Sequence, residues 1–130
     1  MKTLKKSVAL LLLTTAIVSC AKKSNDELII GTWNCTSAKL NNVEAMGTSI
    51  HSLKWTFNEN GTGYSVIDVV GEGIDTSNIV YTIDETQLKF TNSGETYNID
   101  KLTETKLEIH GVFDLESGPN SHVEAKFDKM

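Results

Sequence analysis

Few residues in this chain have the type and spacing that chemistry requires. Its reactive side chains are two thiols, Cys20 and Cys35, and three imidazoles, His51, His110 and His122. Two cysteines, one of them within a leader-like segment, argue against a disulfide framework and a paired-cysteine metal site. The scattered histidines supply neither a base beside a nucleophile nor a set of metal ligands. The sequence therefore predicts no catalytic residue, no metal site, no cofactor and no enzyme activity.

The first 19 residues have the successive features of a secretory signal. Three lysines within the first six residues precede an uncharged run over residues 8–18, which is too short to span a membrane comfortably as a helix. The segment Ile17-Val18-Ser19-Cys20 then resembles the lipobox of bacterial lipoproteins. The resemblance implies cleavage after Ser19 and lipid attachment at Cys20. An ordinary secreted protein with a cysteine near its cleavage site is the alternative.

This interpretation divides the chain into three parts. Residues 1–19 are predicted to be a lipoprotein signal peptide, residues 20–27 a lipidated cysteine with a polar tether, and residues 28–130 one folded domain. Several acyl chains would hold the protein on a membrane. By resemblance to Gram-negative lipoproteins, Ala21 after the cysteine is compatible with sorting to the outer membrane. We therefore expect the cell envelope as the location, with the periplasmic or the surface face left open.

The charge of the predicted mature chain excludes one class of partner. Removing the signal leaves nine lysines against 17 acidic residues, a formal net charge of −8, and the chain has no arginine. Binding to nucleic acid normally needs a basic face that neutralises phosphates. No nucleic-acid partner is predicted, and the acyl anchor is the only membrane contact that the sequence indicates.

The domain has the two-residue periodicity of β-strands, with turn residues at short intervals. Leu53, Trp55 and Phe57 alternate with polar residues before Asn60-Gly61, which predicts a tight hairpin. The segment Tyr-x-Ile-Asp at residues 81–84 recurs at residues 97–100, and each copy is followed by Glu-Thr-x-Leu, as in two successive hairpins of one meander. About eight strands are expected, which is the number that closes into a small barrel. The predicted fold is an all-β, roughly eight-stranded, antiparallel up-and-down meander barrel.

Gly31-Thr32-Trp33, at the start of the first predicted strand, resembles the Gly-x-Trp signature of lipocalins. With the hairpin over residues 57–63 and the run of short strands, the domain is similar to small lipocalin-like lipoproteins of Bacteroidota. The resemblance implies that Gly31 lets the first strand bend and that Trp33 closes the base of the barrel. Lipocalins usually stack an arginine on this tryptophan, so the chain departs from the family there, and Lys126 or Lys129 could substitute. A core tryptophan in another β-fold is the alternative.

Two interpretations of the barrel interior remain open. The alternation directs sixteen mostly large side chains inward: Trp33, Leu53, Trp55, Phe57, Tyr64, Val66, Ile79, Tyr81, Leu88, Phe90, Tyr97, Ile99, Leu107, Ile109, Val123 and Phe127. They could fill the barrel completely, or they could leave a cavity for one small molecule. In the second case the aromatic side chains are the candidate ligand contacts: Trp55, Phe57, Tyr64, Tyr81, Phe90 and Tyr97.

Two surface segments complete the hypotheses. Residues 40–52 are too long for a tight turn, so Val43, Met46 and Ile50 are expected to form a lid over the open end or a helical plug.

The first functional hypothesis is a membrane-anchored, lipocalin-like lipoprotein that binds a small apolar or amphipathic ligand. The second is a filled barrel whose rim, including residues 114–121, docks another protein of the cell envelope or a glycan assembly.

Overall fold

The computed structural model describes residues 22–113 and 121–130, and these form one short helix and nine β-strands. The predicted signal, Cys20 and most of the predicted docking rim lie outside the described residues. The elements are α1 (Asn25–Leu28), β1 (Gly31–Leu40), β2 (Val43–Glu44), β3 (Ile50–Phe57), β4 (Thr62–Val69), β5 (Gly73–Ile83), β6 (Gln87–Phe90), β7 (Glu95–Leu102), β8 (Lys106–Phe113) and β9 (Ser121–Lys129).

The strands form one antiparallel sheet that closes on itself. Apart from β2, neighbouring strands follow the order of the chain, and β9 returns to pair with β1. Closure leaves no free edge along these two strands. The predicted all-β meander barrel of about eight strands is confirmed, and β2 is an additional two-residue strand beside the end of β1. Strand direction defines two ends: Gly31 marks the base, and Leu40 marks the upper end.

Polar side chains close the two hairpins at the base that the internal repeat predicts. The Asp84 carboxylate accepts hydrogen bonds from the backbone N–H groups of Thr86 and Gln87, both at 2.8 Å. In the turn between β7 and β8, the Thr103 hydroxyl oxygen accepts the backbone N–H of Lys106 at 3.0 Å, whereas Asp100, the counterpart of Asp84 in the repeat, lies within β7. Such side chain to backbone bonds replace ladder bonds where the chain reverses. The repeated Glu-Thr segment therefore lies in two similar hairpin turns, whereas the repeated aspartate does not occupy equivalent positions.

The predicted inward direction of Tyr64 and Val66 on β4 was wrong. Across β3 and β4, Thr56 lies opposite Tyr64 and Trp55 lies opposite Ser65. Directly opposite residues share a face, and Trp55 fills the interior, so Tyr64 points outward with 44% of its surface exposed. Gly63 occupies the inward position because a side chain there would collide with the Thr56 carbonyl oxygen, 1.9 Å from a Cβ at residue 63.

The turns also differ from their predictions. Residues 58–61 form a four-residue connection in which Gly61 is left-handed at φ +80°, while the Asn60 side chain accepts the backbone N–H of Thr62. The two-residue turn lies instead at Asn41 and Asn42, whose φ angles of 51° and 68° fit a hairpin of type I′. The expectation of a lid or plug over residues 40–52 contains no such turn.

Residues 40–52 form a hairpin in place of the predicted lid or helical plug. The strand β2 pairs with the end of β1, and Met46 forms an isolated bridge with Ile50. Val43 is 68% exposed, so it covers no opening, whereas Met46 packs against the core. The Glu44 carboxylate fixes the hairpin by accepting the Ser37 hydroxyl at 2.5 Å and the Ala38 N–H at 2.8 Å. These bonds lower the pKa of Glu44, led by the bond from Ser37.

Candidate ligand-binding cavity

The base of the barrel is closed by Trp33, as the resemblance implies. Its side chain is fully buried, and its ring N–H donates to the Ile29 carbonyl oxygen at 2.8 Å. Ile29 directly follows α1 and is also fully buried, so its side chain packs into the base of the barrel. Part of the predicted tether, Asn25 to Glu27, therefore belongs to this helical turn. Trp33 and Ile29 therefore form a buried core at the base of the barrel.

A lysine takes the place of the arginine that lipocalins usually stack on the tryptophan. The Lys129 ammonium lies 5.2 Å from the centroid of the Trp33 ring and donates to the Leu28 carbonyl oxygen at 3.1 Å. This distance is within the range of a cation–π contact. The other candidate, Lys126, is exposed and lies 3.7 Å from Glu108. Of the two expected substitutes, Lys129 is the one that the structure places at the base.

Gly31 accommodates this lysine. Its φ of +130° lies in a region that residues with a side chain rarely adopt, and a Cβ there would lie 2.8 Å from Lys129 Cε. The glycine therefore allows the first strand to enter the barrel and leaves room for the lysine stem. Gly31 and Trp33 thus both lie at the base of the barrel.

An aromatic cluster fills the middle of the barrel. Trp55 stacks on Phe127 with ring centroids 4.5 Å apart, and it meets Phe90 edge-on at 5.0 Å. Phe57 and Tyr81 continue the cluster toward the base with centroids 4.9 Å apart. Rings in offset or edge-on pairs pack densely, so this layer excludes solvent. The lower half of the barrel is therefore filled.

Above this layer the interior is open. A cavity of about 270 Å³ occupies the upper half and is predominantly apolar. The small residues Ala38 and Ala125 lie opposite each other on β1 and β9, and this pairing leaves space where larger side chains would fill it. The lining consists of Ala38, Leu40, Ile50, Leu53, Trp55, Ser65, Ile67, Glu95, Tyr97, Ile109, Val123, Ala125 and Phe127. Each of the two interpretations of the interior thus holds for one half of the barrel: the base is filled, and a cavity lies above it.

Three polar side chains interrupt the apolar lining. The Tyr97 hydroxyl donates to Glu95 Oε2 at 2.7 Å, and Ser65 lies on the opposite strand to Trp55. Burial, followed by the neighbouring Glu95 carboxylate, raises the pKa of Tyr97 far above its ordinary value. The phenol thus stays protonated and serves as a donor. Glu95 is partly buried at the start of β7, and it contributes the acidic group of the cavity wall.

A polar side opening adjoins the cavity. Only Tyr81 to Ile83 of β5 pair with the four-residue strand β6, so residues 73–79 of β5 have no ladder partner on that side within the described part of the chain. The Asn92 side chain bonds to the backbone of β5 at this gap: it accepts a hydrogen bond from the Val80 N–H and donates one to the Asn78 carbonyl oxygen. A space of about 210 Å³ lies here, and it shares Trp55, Ser65 and Glu95 with the main cavity.

The predicted ligand contacts fall into three groups. Trp55 and Tyr97 line the cavity, and Phe90 lines the side opening. Phe57 and Tyr81 belong to the core below it, where the Tyr81 hydroxyl donates to the Asn58 carbonyl at 2.6 Å. Tyr64 lies on the outer surface, as described above. Sequence reasoning missed Glu95 and Ser65 because a polar residue inside a barrel carries no signal in an alternating pattern. It missed Ile67 because the prediction directed the other face of β4 inward.

The residues that suggested other chemistry have structural explanations. Cys35 is buried, and desolvation raises the pKa of its thiol to about 11. His110 lies outside the barrel with Nδ1 2.8 Å from Asp100, while His122 lies across from Val112. No group of three metal-ligating side chains occurs among residues 22–113 and 121–130. Within the same residues, no helix has the length and apolar character needed to cross a membrane.

Comparison with known proteins agrees with this architecture. Structures similar to this one include a lipocalin-like protein from Bacteroides uniformis (TM-score 0.54, 12% identity, covering 78% of this chain and 98% of that one). An uncharacterised protein from Bacteroides eggerthii gives a TM-score of 0.51 at 12% identity, covering 78% and 99%. Bovine odorant-binding protein in complex with undecanal gives 0.57 at 20% identity, covering 85% and 76%.

Such low identities show a shared fold only. A search of curated protein sequences gives no significant match. The sequence model of the lipocalin-like domain matches residues 29–109, which is more than half of the chain. The closed meander barrel, the tryptophan-sealed base and this match lead to one conclusion: the chain belongs to the lipocalin-like domain family.

Proposed function

We propose that this protein is a membrane-anchored, lipocalin-like lipoprotein that binds a small apolar or amphipathic molecule in the upper half of its barrel. The cavity of about 270 Å³ above a filled aromatic layer carries the proposal. Small-molecule sites are typically concave, mostly apolar and supplied with a few polar groups that orient the ligand, and this cavity has that composition. Binding of undecanal by the bovine odorant-binding protein, whose fold is similar, supports the same kind of ligand.

The size of the cavity limits the ligand. At about 30 Å³ for a water molecule in the liquid, the space equals roughly nine non-hydrogen atoms. The volume is slightly below the range of about 300–1,000 Å³ that is typical of drug-sized ligands. We therefore propose a ligand with a short hydrocarbon or a single aromatic ring, with no place for a long acyl chain unless it extends beyond the rim.

The binding experiment uses 2-phenylethanol, a neutral probe of suitable size. Ala125→Leu adds three carbons to the wall of the cavity, so we expect it to reduce binding at least about tenfold in calorimetry. Glu124→Leu is the matched control, because residue 124 is the adjacent, exposed position on the same strand. Equal binding by Ala125→Leu and the parent protein, or no binding by the parent to any small amphiphile tested, would refute a ligand site in the barrel.

The anchor is tested separately. Cys20→Ser removes the thiol that would accept lipid, so we expect the protein to leave the membrane fraction or to accumulate with its leader uncleaved. Mass spectrometry of the parent protein should show acyl chains on residue 20. Absence of acyl chains from residue 20 of the parent protein, or leader cleavage and membrane association that are both unchanged by the substitution, would contradict the lipoprotein assignment but would leave the ligand-binding proposal intact.

One observation favours a second candidate function, docking to another protein of the cell envelope. Tyr64, Ile74 and Val80 are exposed by 44%, 72% and 44% on the outer face of β4 and β5. A photo-cross-linking residue at position 64 should capture a defined partner in cells if this face is an interface. A cross-linker at the exposed residue Glu124 on β9, which does not pair with β4 or β5, is the control. Equal labelling from both positions would argue against a specific interface.

A further inference from the structure

The polar groups of the cavity define the kind of ligand that it prefers. Among the described residues, the cavity lining contains one ionisable carboxylate, Glu95, and no lysine or histidine. The chain has no arginine, and residues 114–120, which connect β8 to β9, contain no lysine or histidine either. No cation among the described lining residues is thus placed to hold the carboxylate of a fatty acid.

Glu95 has capacity to bind a donor. A carboxylate offers about four acceptor sites, and the hydrogen bond from Tyr97 uses one of them. Because the Tyr97 hydroxyl donates to Glu95, this pair presents negative charge to the cavity. Desolvation strengthens a hydrogen bond between an ammonium and a carboxylate, whereas a second anion near Glu95 would be repelled.

The position of Glu95 also indicates how a ligand would be oriented in the cavity. It lies in the wall shared by the apolar cavity and the polar side opening, together with Trp55 and Ser65. The apolar part of a ligand would therefore lie against Trp55 and Phe127, whereas its polar end would point to Glu95 and the gap beside β5. This geometry suits a molecule with one hydrogen-bond-donating end.

We propose that the cavity selects small amphipathic amines, with a protonated amino group hydrogen-bonded to the Glu95 carboxylate and the hydrocarbon part packed on Trp55 and Phe127. The inference rests on the proposed function, since it names the ligand class of the same cavity. It extends that function by assigning Glu95 as the residue that determines specificity.

Three probes of nearly equal size test the selection: 2-phenylethylamine, 2-phenylethanol and phenylacetate. Calorimetry is carried out at neutral pH on the full chain in lipid nanodiscs, with empty nanodiscs as the blank. We expect the affinity for the amine to be at least about tenfold higher than that for the alcohol, because the amine gains one charge-assisted hydrogen bond in a partly desolvated site. Phenylacetate should bind more weakly than the alcohol.

The variant Glu95→Gln keeps an oxygen that can accept the Tyr97 hydroxyl, so the fold should be retained. We expect it to weaken the affinity for the amine about tenfold and to change the affinity for the alcohol by less than about threefold. Glu72→Gln is the matched control, because it removes the same charge from the exposed β4–β5 turn outside the cavity. The control should leave all three affinities within about twofold.

The outcomes separate this inference from the function on which it rests. Equal binding of the amine and the alcohol, or an equal loss of amine binding in both variants, overturns the amine selection while the cavity remains a ligand site. Absence of binding for all three probes overturns both. Tight binding of phenylacetate that survives Glu95→Gln overturns the selection as well, because it would need a cation that the described wall lacks.

Discussion

Replacing Lys129 by methionine tests how the barrel base is held without an arginine. Methionine keeps a flexible apolar stem over Gly31 but removes the ammonium, which lies 5.2 Å from the Trp33 ring and 3.1 Å from the Leu28 carbonyl oxygen. A cation–π contact contributes about 0.5–2 kcal/mol, depending on exposure. The hydrogen bond adds to it, but Lys129 is only half-buried, so solvent screening reduces the sum. We expect the free energy of unfolding to fall by about 1–2 kcal/mol.

The assay is equilibrium unfolding in urea, followed by tryptophan fluorescence and by circular dichroism. For a domain of this size, 1 kcal/mol corresponds to about 4–8 °C in the melting temperature, so thermal unfolding provides a second measurement. Lys126→Met is the matched control on the same strand, since Lys126 is exposed, and we expect it to cost less than about 0.5 kcal/mol. Equal effects of the two substitutions would refute the assignment of Lys129 to the tryptophan.

Two further predictions concern residues near the base of the barrel. Gly31→Ala should destabilise the protein by at least about 1 kcal/mol, because alanine is strained at φ +130° and its Cβ displaces the Lys129 stem; an unchanged urea midpoint would contradict this. The Cys35 thiol, with its pKa raised to about 11 by burial, should react with iodoacetamide at pH 8 about 100-fold more slowly in the folded Cys20→Ser protein than in the unfolded one. Since the folded pKa is the higher of the two, the contribution of this thiol to stability is complete below about pH 9 and is lost as the pH rises toward 11, which a pH series of urea unfolding measures.

Local patterns determined which segments are strands. The alternation of Leu53, Trp55 and Phe57 is a property of neighbours in the chain, and it survives because one face of β3 is buried. The same reasoning failed for Tyr64, since the register across a hairpin decides which face a strand buries. That register depends on the four-residue turn and on the close approach of Gly63 to Thr56, and neither is visible in the alternation.

The sequence predicted the glycine and the tryptophan at the base of the barrel, but not which lysine contacts the tryptophan. Gly31 and Trp33 could be assigned because their spacing is itself the signal. The choice of Lys129 over Lys126 could not, because it depends on where β9 ends relative to β1. The pairing places residue 129 opposite Trp33, whereas Lys126 lies on the outer face beside Glu108.

The sequence by itself determined the strand content, the all-β meander barrel and the acidic charge. The tertiary structure alone decided that the barrel has a cavity. Free space arises where strands distant in the chain bring small side chains together, as Ala38 and Ala125 do. Glu95 becomes a site residue for the same reason: strand pairing places its carboxylate beside Tyr97, in a wall that is otherwise mostly apolar.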